Sequence, residues 1–157
     1  LELMGHYDEV ITDLELYLTR KAKVHDQDSF HLLRSIPGVG KVLSMTILYE
    51  IHDIARFERV QEFASYSRLV KCEKSSAGKK YGTSGAKIGN VHLKWAFSEA
   101  AVLFLRGNPR AQKYLKTLEN KHGKRKALSI LAHRLGRTVY YMLKRNRTFS
   151  MDAFLKA

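Results

Sequence analysis

The chain has 157 residues, 45% of them hydrophobic, with 28 Lys and Arg against 15 Asp and Glu, a net charge of +13. This composition supports one domain with its own core and excludes a disordered or collagen-like chain. The longest uncharged apolar stretch, Ala100 to Leu105, is far shorter than the roughly 18 residues of a membrane-spanning helix. The single Cys72 cannot form an internal disulfide, and no charged-then-apolar leader opens the chain. We therefore expect a cytoplasmic protein that does not bind a membrane.

The charge is distributed unevenly along the chain. Residues 1–62 hold 7 Lys and Arg and 11 acids, a net charge of −4, whereas residues 63–157 hold 21 Lys and Arg and 4 acids, a net charge of +17. Because the basic part is also rich in apolar residues, it predicts a folded, positively charged surface. Nucleic acid is the first partner to expect. The alternatives are helices that only keep the domain in solution, a ribosome-bound protein and a membrane-surface helix.

The first predicted element is a helix with a narrow apolar seam. The seam follows the a and d positions of a heptad, and the chain begins within it, without a Met. We therefore expect residues 1–24 to be the end of a connecting coiled-coil helix and residues 25–157 to form the domain. An ordinary amphipathic helix packed on this domain is the alternative. The seam residues are Met4, Tyr7, Ile11, Leu14 and Leu18.

The rest of the chain predicts an all-α helical bundle. Asn90 and Asn108 are candidate helix N-caps, and Pro109 would occupy the first helical position after Asn108. Trp95 lies among apolar residues of its helix, which favours a place in the core over a surface that stacks on bases. The predicted helices are Phe30 to Arg34, Lys41 to about Ile51, Val60 to Leu69, Val91 to about Arg106, one that begins at Pro109, and Lys124 to Arg145.

Residues 29–51, which contain the string SIPGVGK, are typical of a helix-hairpin-helix motif. Gly38 and Gly40 would permit positive φ and leave the N–H groups at the start of the second helix open to a phosphate. Lys41 adds a positive charge at that helix end. The motif predicts contact with a DNA or RNA backbone, and a plain helix–helix turn is the alternative.

Residues 71–90 carry five Lys, four Gly and three Ser and show no hydrophobic periodicity. They predict a long loop or an irregular hairpin. A segment of this length inside a compact domain is usually functional or disordered. Glycines let a phosphate approach the backbone and lysines neutralise it. The residues alone favour phosphate binding over nucleophilic catalysis, because a serine hydroxyl needs an activating group that the sequence does not show.

The last predicted helix carries cations that can share one broad side. This side could follow a phosphate backbone, and a solvated surface is the alternative. The histidines have no metal-ligand spacing with Cys72 or with carboxylates, so no metal site is predicted. The cations are Arg134, Arg137, Lys144 and Arg145.

Three motifs in this order resemble a known family. They are SIPGVG at residues 35–40, RF at residues 56–57 with FASY at residues 63–66, and the Ser/Gly/Lys segment that ends in KIGNVHLK at residues 87–94. Together they resemble the C-terminal transposase domain of the IS-one-ten family, the bridge-RNA-guided recombinases to which the Piv DNA invertases are related. The resemblance covers about residues 30–145. It implies DNA and a structured guide RNA as partners and a homo-oligomer. It also implies a RuvC-like domain that binds Mg²⁺ ahead of the coiled coil, with no cofactor in this chain itself.

The same resemblance implies a catalytic serine that forms a phosphoserine link with DNA. Counted back from Gly82, Ser76 takes its place, and Ser75 is the alternative. Lysines of the segment would stabilise the charge of the transition state. The residues expected to bind nucleic acid are Gly38, Gly40, Lys41, Lys74, Lys79, Lys80, Lys87, Asn90, Arg134, Arg137, Lys144 and Arg145.

Overall fold

Helices make up most of the part of the chain that the computed structural model describes, which is residues 2–76, 79–84 and 88–156. The all-α prediction is confirmed, and within these ranges no helix is long and apolar enough to cross a membrane. The helices are α1 (Glu2–His25), α2 (Gln27–Arg34), α3 (Lys41–Ile51), α4 (Val60–Tyr66), α5 (Val91–Leu103), α6 (Pro109–His122), α7 (Lys124–Arg145) and α8 (Met151–Lys156), with a 3-10 turn at Ile54–Arg56.

A two-stranded antiparallel hairpin interrupts the helices. It consists of β1 (Cys72–Ser76) and β2 (Lys79–Ser84), with a bulge between Lys74 and Ser75. The sequence predicts either a long loop or an irregular hairpin for residues 71–90. The structure shows the hairpin at residues 72–76 and 79–84, so the long loop is wrong there. The polar strands have no apolar face to reveal them in the sequence, and backbone pairing alone defines them.

Side-chain caps set several helix starts where the sequence predicts them. Asn90 accepts a hydrogen bond from the Leu93 N–H at 2.9 Å, and Asn108 accepts one from the Ala111 N–H at 3.1 Å. Pro109 occupies the first turn of α6. These caps satisfy N–H groups that have no partner within the helix. α8 was not predicted, because a six-residue helix shows too little periodicity.

The core forms around α7, which packs against α4, α5 and α6. Phe97 of α5 and Phe104, directly after α5, are buried. The prediction for Trp95 is wrong, because 48% of this side chain is exposed. The largest fully buried side chains include Phe63, Phe97, Phe104, Phe154, Leu131, Leu135 and Val139.

Most of α1 extends away from this core. Its residues from Leu3 to Leu18 are exposed, including the whole predicted seam. The Thr19 hydroxyl lies 3.8 Å from the Met45 sulfur, where the end of α1 meets α3. The alternative prediction, in which the apolar seam packs on this domain, is therefore wrong. A coiled coil with another helix stays a prediction.

The turn between α2 and α3 packs on the end of α5. Gly38 has φ +82°, and a Cβ at this position would lie 2.5 Å from the Leu103 carbonyl carbon. Positive φ is thus confirmed at Gly38, where both the backbone and the space require glycine. The prediction of positive φ is wrong at Gly40, the N-cap of α3, which has φ −80°. The helices and the turn of the motif are present, and its assignment as a helix-hairpin-helix stays a prediction.

We predict that Gly38→Ala lowers the free energy of unfolding by at least about 2 kcal/mol, because it adds left-handed strain to a backbone clash. Gly40→Ala is the matched control, since a Cβ there meets no atom within 4 Å. It should cost less than about 1 kcal/mol. Urea unfolding followed by circular dichroism measures both. Equal effects of the two variants would contradict the packing of the turn on α5.

Candidate nucleic-acid interface

Asn90 joins three helices at the base of the hairpin. While its Oδ1 caps α5, its Nδ2 donates to Glu50 Oε2 of α3 at 2.6 Å and to the Tyr66 hydroxyl of α4 at 3.4 Å. Its backbone N–H also donates to the Tyr66 carbonyl at 2.6 Å. Both polar atoms of its side chain bond within the protein, and its observed role is to tie the helices together. The expectation that Asn90 contacts nucleic acid stays a prediction.

Neighbouring residues hold the chain on both sides of the hairpin. Gly89 has φ +100°, and a Cβ there would lie 2.6 Å from the Tyr66 carbonyl oxygen. Arg68 Nε donates to the Gly89 carbonyl at 2.8 Å, so the segment that follows β2 lies against the end of α4, just before β1. We call this set, Glu50, Tyr66, Arg68, Gly89 and Asn90, the hairpin clamp.

An exposed cation lies beside the hairpin clamp. The Arg56 guanidinium lies over the Phe57 ring at 4.7 Å and over the Tyr66 ring at 4.5 Å from the ring centres. The hydrogen bond from Asn90, together with Arg56, lowers the pKa of Tyr66 from its ordinary value, against the opposing effect of burial. The RF and FASY motifs of the sequence thus meet in space with the Gly-Asn pair that follows the hairpin.

A basic groove of about 470 Å³ lies between α1, α2 and α3. Arg20, Arg34 and Lys41 line it, and all three are exposed. Within the described ranges these cations form no salt bridge. Lys41 is the first residue of α3, whose N-cap Gly40 provides no side-chain hydrogen bond, so the positive end of the helix lies next to the groove. The other lining residues are Leu16, Thr19, Phe30 and His31.

The sequence predicted only Lys41 of this groove. Arg20 and Arg34 lie in the acidic part of the chain, 14 residues apart, on different helices. They meet only because the end of α1 docks on α2 and α3. No local pattern in the sequence indicates that α1 docks on α2 and α3. The position of Arg34, just before the turn that contains Gly38, indicates only that one cation lies near this turn.

The hairpin places both candidate nucleophiles near its closed end. Ser76 pairs with Lys79, and Ser75 pairs with Lys80, so lysines stand opposite both serines in the ladder. Lys79 is exposed. Of the remaining lysines predicted to bind nucleic acid, Lys74 lies on β1 and Lys87 lies outside the described residues.

Arg134 of α7 has a structural role, and its predicted phosphate contact stays a prediction. Its Nε donates to the Phe154 carbonyl at 2.8 Å, and its Nη1 donates to the Tyr114 hydroxyl at 2.6 Å. The guanidinium also lies over both aromatic rings and so fastens α8 and α6 to α7. The other predicted cations of this helix are exposed: Arg137, Lys144 and Arg145.

A basic helical domain with a lysine-bearing hairpin fixed at its base defines a class of protein that acts on nucleic acid. Residues 30–116 match the sequence model of the transposase IS116/IS110/IS902 family. The chain belongs to this family, which confirms the resemblance seen in its motifs, and it is a transposase or DNA recombinase domain.

Relatives cover most of the chain. The transposase for insertion sequence element IS1111A of Coxiella burnetii is 28% identical over 150 residues, 93% of this chain and 41% of that protein. The pilin gene-inverting protein of Moraxella lacunata is 28% identical over 149 residues, 92% of this chain and 46% of that protein. The pilin gene-inverting protein of Moraxella bovis is 31% identical over 121 residues, which is 75% of this chain and 38% of that protein. The chain spans less than half the length of these relatives.

Proposed function

We propose that this chain is the part of a transposase or invertase that holds DNA and supplies the serine nucleophile. The observation that carries the proposal is the basic groove of Arg20, Arg34 and Lys41 beside the start of α3. Helix N–H groups and three cations can bind the phosphates of a nucleic-acid backbone without contacting the bases. Contact with the backbone alone is what a helix-hairpin-helix motif is expected to make. A binding module without catalysis, or a dimerisation domain, is the competing function.

The chemical step we propose is attack by the Ser76 hydroxyl on a DNA phosphodiester. The serine oxygen bonds to phosphorus, the bond to one deoxyribose oxygen breaks, and that oxygen leaves with a proton. The phosphoserine ester keeps the energy of the broken bond. A hydroxyl of another strand then displaces serine, so that rejoining needs no external energy source. Lys79 and Lys80 lie opposite the serines and would stabilise the negative charge of the transition state.

Further parts of the machinery would come from outside this chain. The described residues contain no group of three or more His, Cys, Asp or Glu that could hold a metal ion. We therefore derive no step through Mg²⁺ here and propose that it belongs to a RuvC-like domain of the longer protein. A structured guide RNA and a cytoplasmic location complete the proposal.

The exposed seam of α1 supports an oligomer. Apolar side chains at heptad spacing are expected to pack against an equivalent helix, which fits the predicted coiled coil. The seam carries no core contact that such packing would disrupt, since its residues are exposed in the chain alone. We propose that two copies of the protein associate through this helix.

The DNA-binding proposal predicts a defined salt dependence. The logarithm of the affinity for duplex DNA should fall with the logarithm of the salt concentration, with a slope of about −0.9 for each phosphate contact. The triple variant R20Q/R34Q/K41Q should make the slope shallower by about 2 to 3 and weaken binding at least about tenfold. Fluorescence anisotropy with a labelled duplex measures both quantities.

The matched control is K113Q/K116Q/K121Q, which removes the same charge from exposed positions of α6. It should leave the slope nearly unchanged. Equal losses in the two triple variants would show that net charge alone binds DNA, and the groove would lose its role.

The nucleophile is tested in a full-length family protein that carries this chain. Ser76→Ala should abolish DNA adducts that resist denaturant and should leave DNA binding intact, because only the attacking oxygen is removed. Ser75→Ala is the control and should still form adducts. The reverse pattern would assign the role to Ser75, and adducts in both variants would contradict an essential nucleophile at either position.

Oligomerisation is tested by a charge in the seam. Ile11→Lys should shift the chain toward monomer in sedimentation equilibrium, since a lysine at a seam position disfavours helix pairing. The core of the monomer should stay folded, because Ile11 is exposed and makes no core contact. Thr12→Lys places the same charge outside the seam and should keep the oligomer. A monomeric parent chain would contradict the proposal.

A further inference from the structure

Trp95 lies on an outward-facing stripe of α5. Val91, Trp95, Ser98 and Val102 follow one another at intervals of four, three and four residues, so they share one line of the helix. The exposed fractions are 51% for Val91, 48% for Trp95 and 45% for Val102. The opposite side of α5 is fully buried at Leu93, Ala96 and Phe97. The core is therefore complete without Trp95, and the largest aromatic side chain of the protein faces outward.

The position of Trp95 relates it to the hairpin. It lies five residues after Asn90, whose side chain is part of the hairpin clamp. His92 and Lys94, on the preceding turn, are exposed, and the first acid of α5 is the exposed Glu99, one turn after Trp95. The exposed indole and the exposed ammonium group of this helix match the two parts of a nucleotide, a flat base and a charged phosphate.

We propose that Trp95 is a stacking site for an unpaired base of a nucleic-acid strand. This inference rests on the proposed function, because it assumes that the chain holds nucleic acid near the hairpin. A strand that is cut and joined to a new partner must first leave its old base pairs close to the cut. An exposed indole on the helix that follows the hairpin could hold such a base, and stacking tolerates any base because each has a flat face.

A second copy of the chain fits the stripe less well. Residues 63–157, which include α5, carry a net charge of +17. Pairing two such surfaces through α5 would bring like charges together, whereas a nucleic-acid strand brings the opposite charge. Three partly exposed apolar side chains also offer much less than the roughly 800 Å² per partner of a stable protein interface.

The protein contains one tryptophan, so its fluorescence reports on this site alone. The chain is titrated with oligothymidylate, with oligouridylate and with a blunt duplex, while anisotropy of a label on each ligand follows binding. Stacking should quench tryptophan emission with the single strands in parallel with binding, and the duplex should quench it little. The two single strands distinguish DNA from RNA as the source of the base.

Trp95→Ala should weaken single-strand binding by about 5- to 150-fold and change duplex binding by less than about twofold. Trp95→Phe keeps a ring and should restore most of the affinity. Val102→Ala is the control on the same stripe and should bind like the parent chain. Both positions are exposed, and thermal unfolding of each of the three variants checks the fold.

Four results would overturn the inference. Single strands that bind without quenching, or that bind Trp95→Ala as tightly as the parent chain, would remove Trp95 from the interface while the proposed function stands. A blue shift of the emission with rising protein concentration, without nucleic acid, would assign the stripe to a second copy. No binding of any nucleic acid would reject the proposed function and this inference together.

Discussion

The side chain of Asn90 is the contact on which the arrangement of the candidate site depends. One amide caps α5, bonds to Glu50 of α3 and reaches the Tyr66 hydroxyl of α4. These helices come from parts of the sequence that are 24 and 40 residues away from Asn90. Because Asn90 also follows the hairpin, the same contact that joins the helices fixes where the hairpin leaves the domain. A buried amide that loses one partner leaves polar groups unsatisfied, which makes such a junction specific.

The basic groove belongs wholly to the acidic part of the chain. Residues 1–62 carry a net charge of −4, yet they contain Arg20, Arg34 and Lys41. The docking of α1 on α2 and α3 brings these three cations together. The turn at Gly38 holds the start of α3 against the end of α5, so α3 and α5 run antiparallel, with the basic groove at one end and the hairpin clamp at the other.

Local signals in the sequence predict the helices well. The features that the sequence does not predict depend on contacts between residues that are distant in the chain. Asn90 and Asn108 cap their helices as predicted, since a cap depends only on the next three residues. The sequence predicts a core position for Trp95 because it lies among apolar residues of its helix, and only the packing of α5 shows which side faces out. Arg134 could not be recognised as a structural residue, because its partner Phe154 lies 20 positions away on a helix too short to predict.

The sequence predicts which kinds of residues form the candidate site, and it does not predict how they are arranged in space. The glycines, lysines and serines of residues 71–90 indicated a phosphate-binding segment, and the structure arranges their backbone as a hairpin with lysines opposite the serines. The sequence predicts that Asn90 binds nucleic acid, and the structure adds that its side chain bonds to other helices of the protein. Its partner Glu50 lies on another helix, and no spacing in the sequence relates the two residues.

Amide hydrogen exchange of Asn90→Ala, compared with Asn108→Ala, tests most directly whether the hairpin clamp holds the hairpin. Both variants lose a helix cap, and only the first loses contacts to α3 and α4. The account predicts faster exchange in Asn90→Ala at residue 90, at Leu93 and along β1 and β2, with α6 unchanged. In Asn108→Ala the faster exchange should be confined to the start of α6. Unchanged exchange along the hairpin in Asn90→Ala would contradict the account.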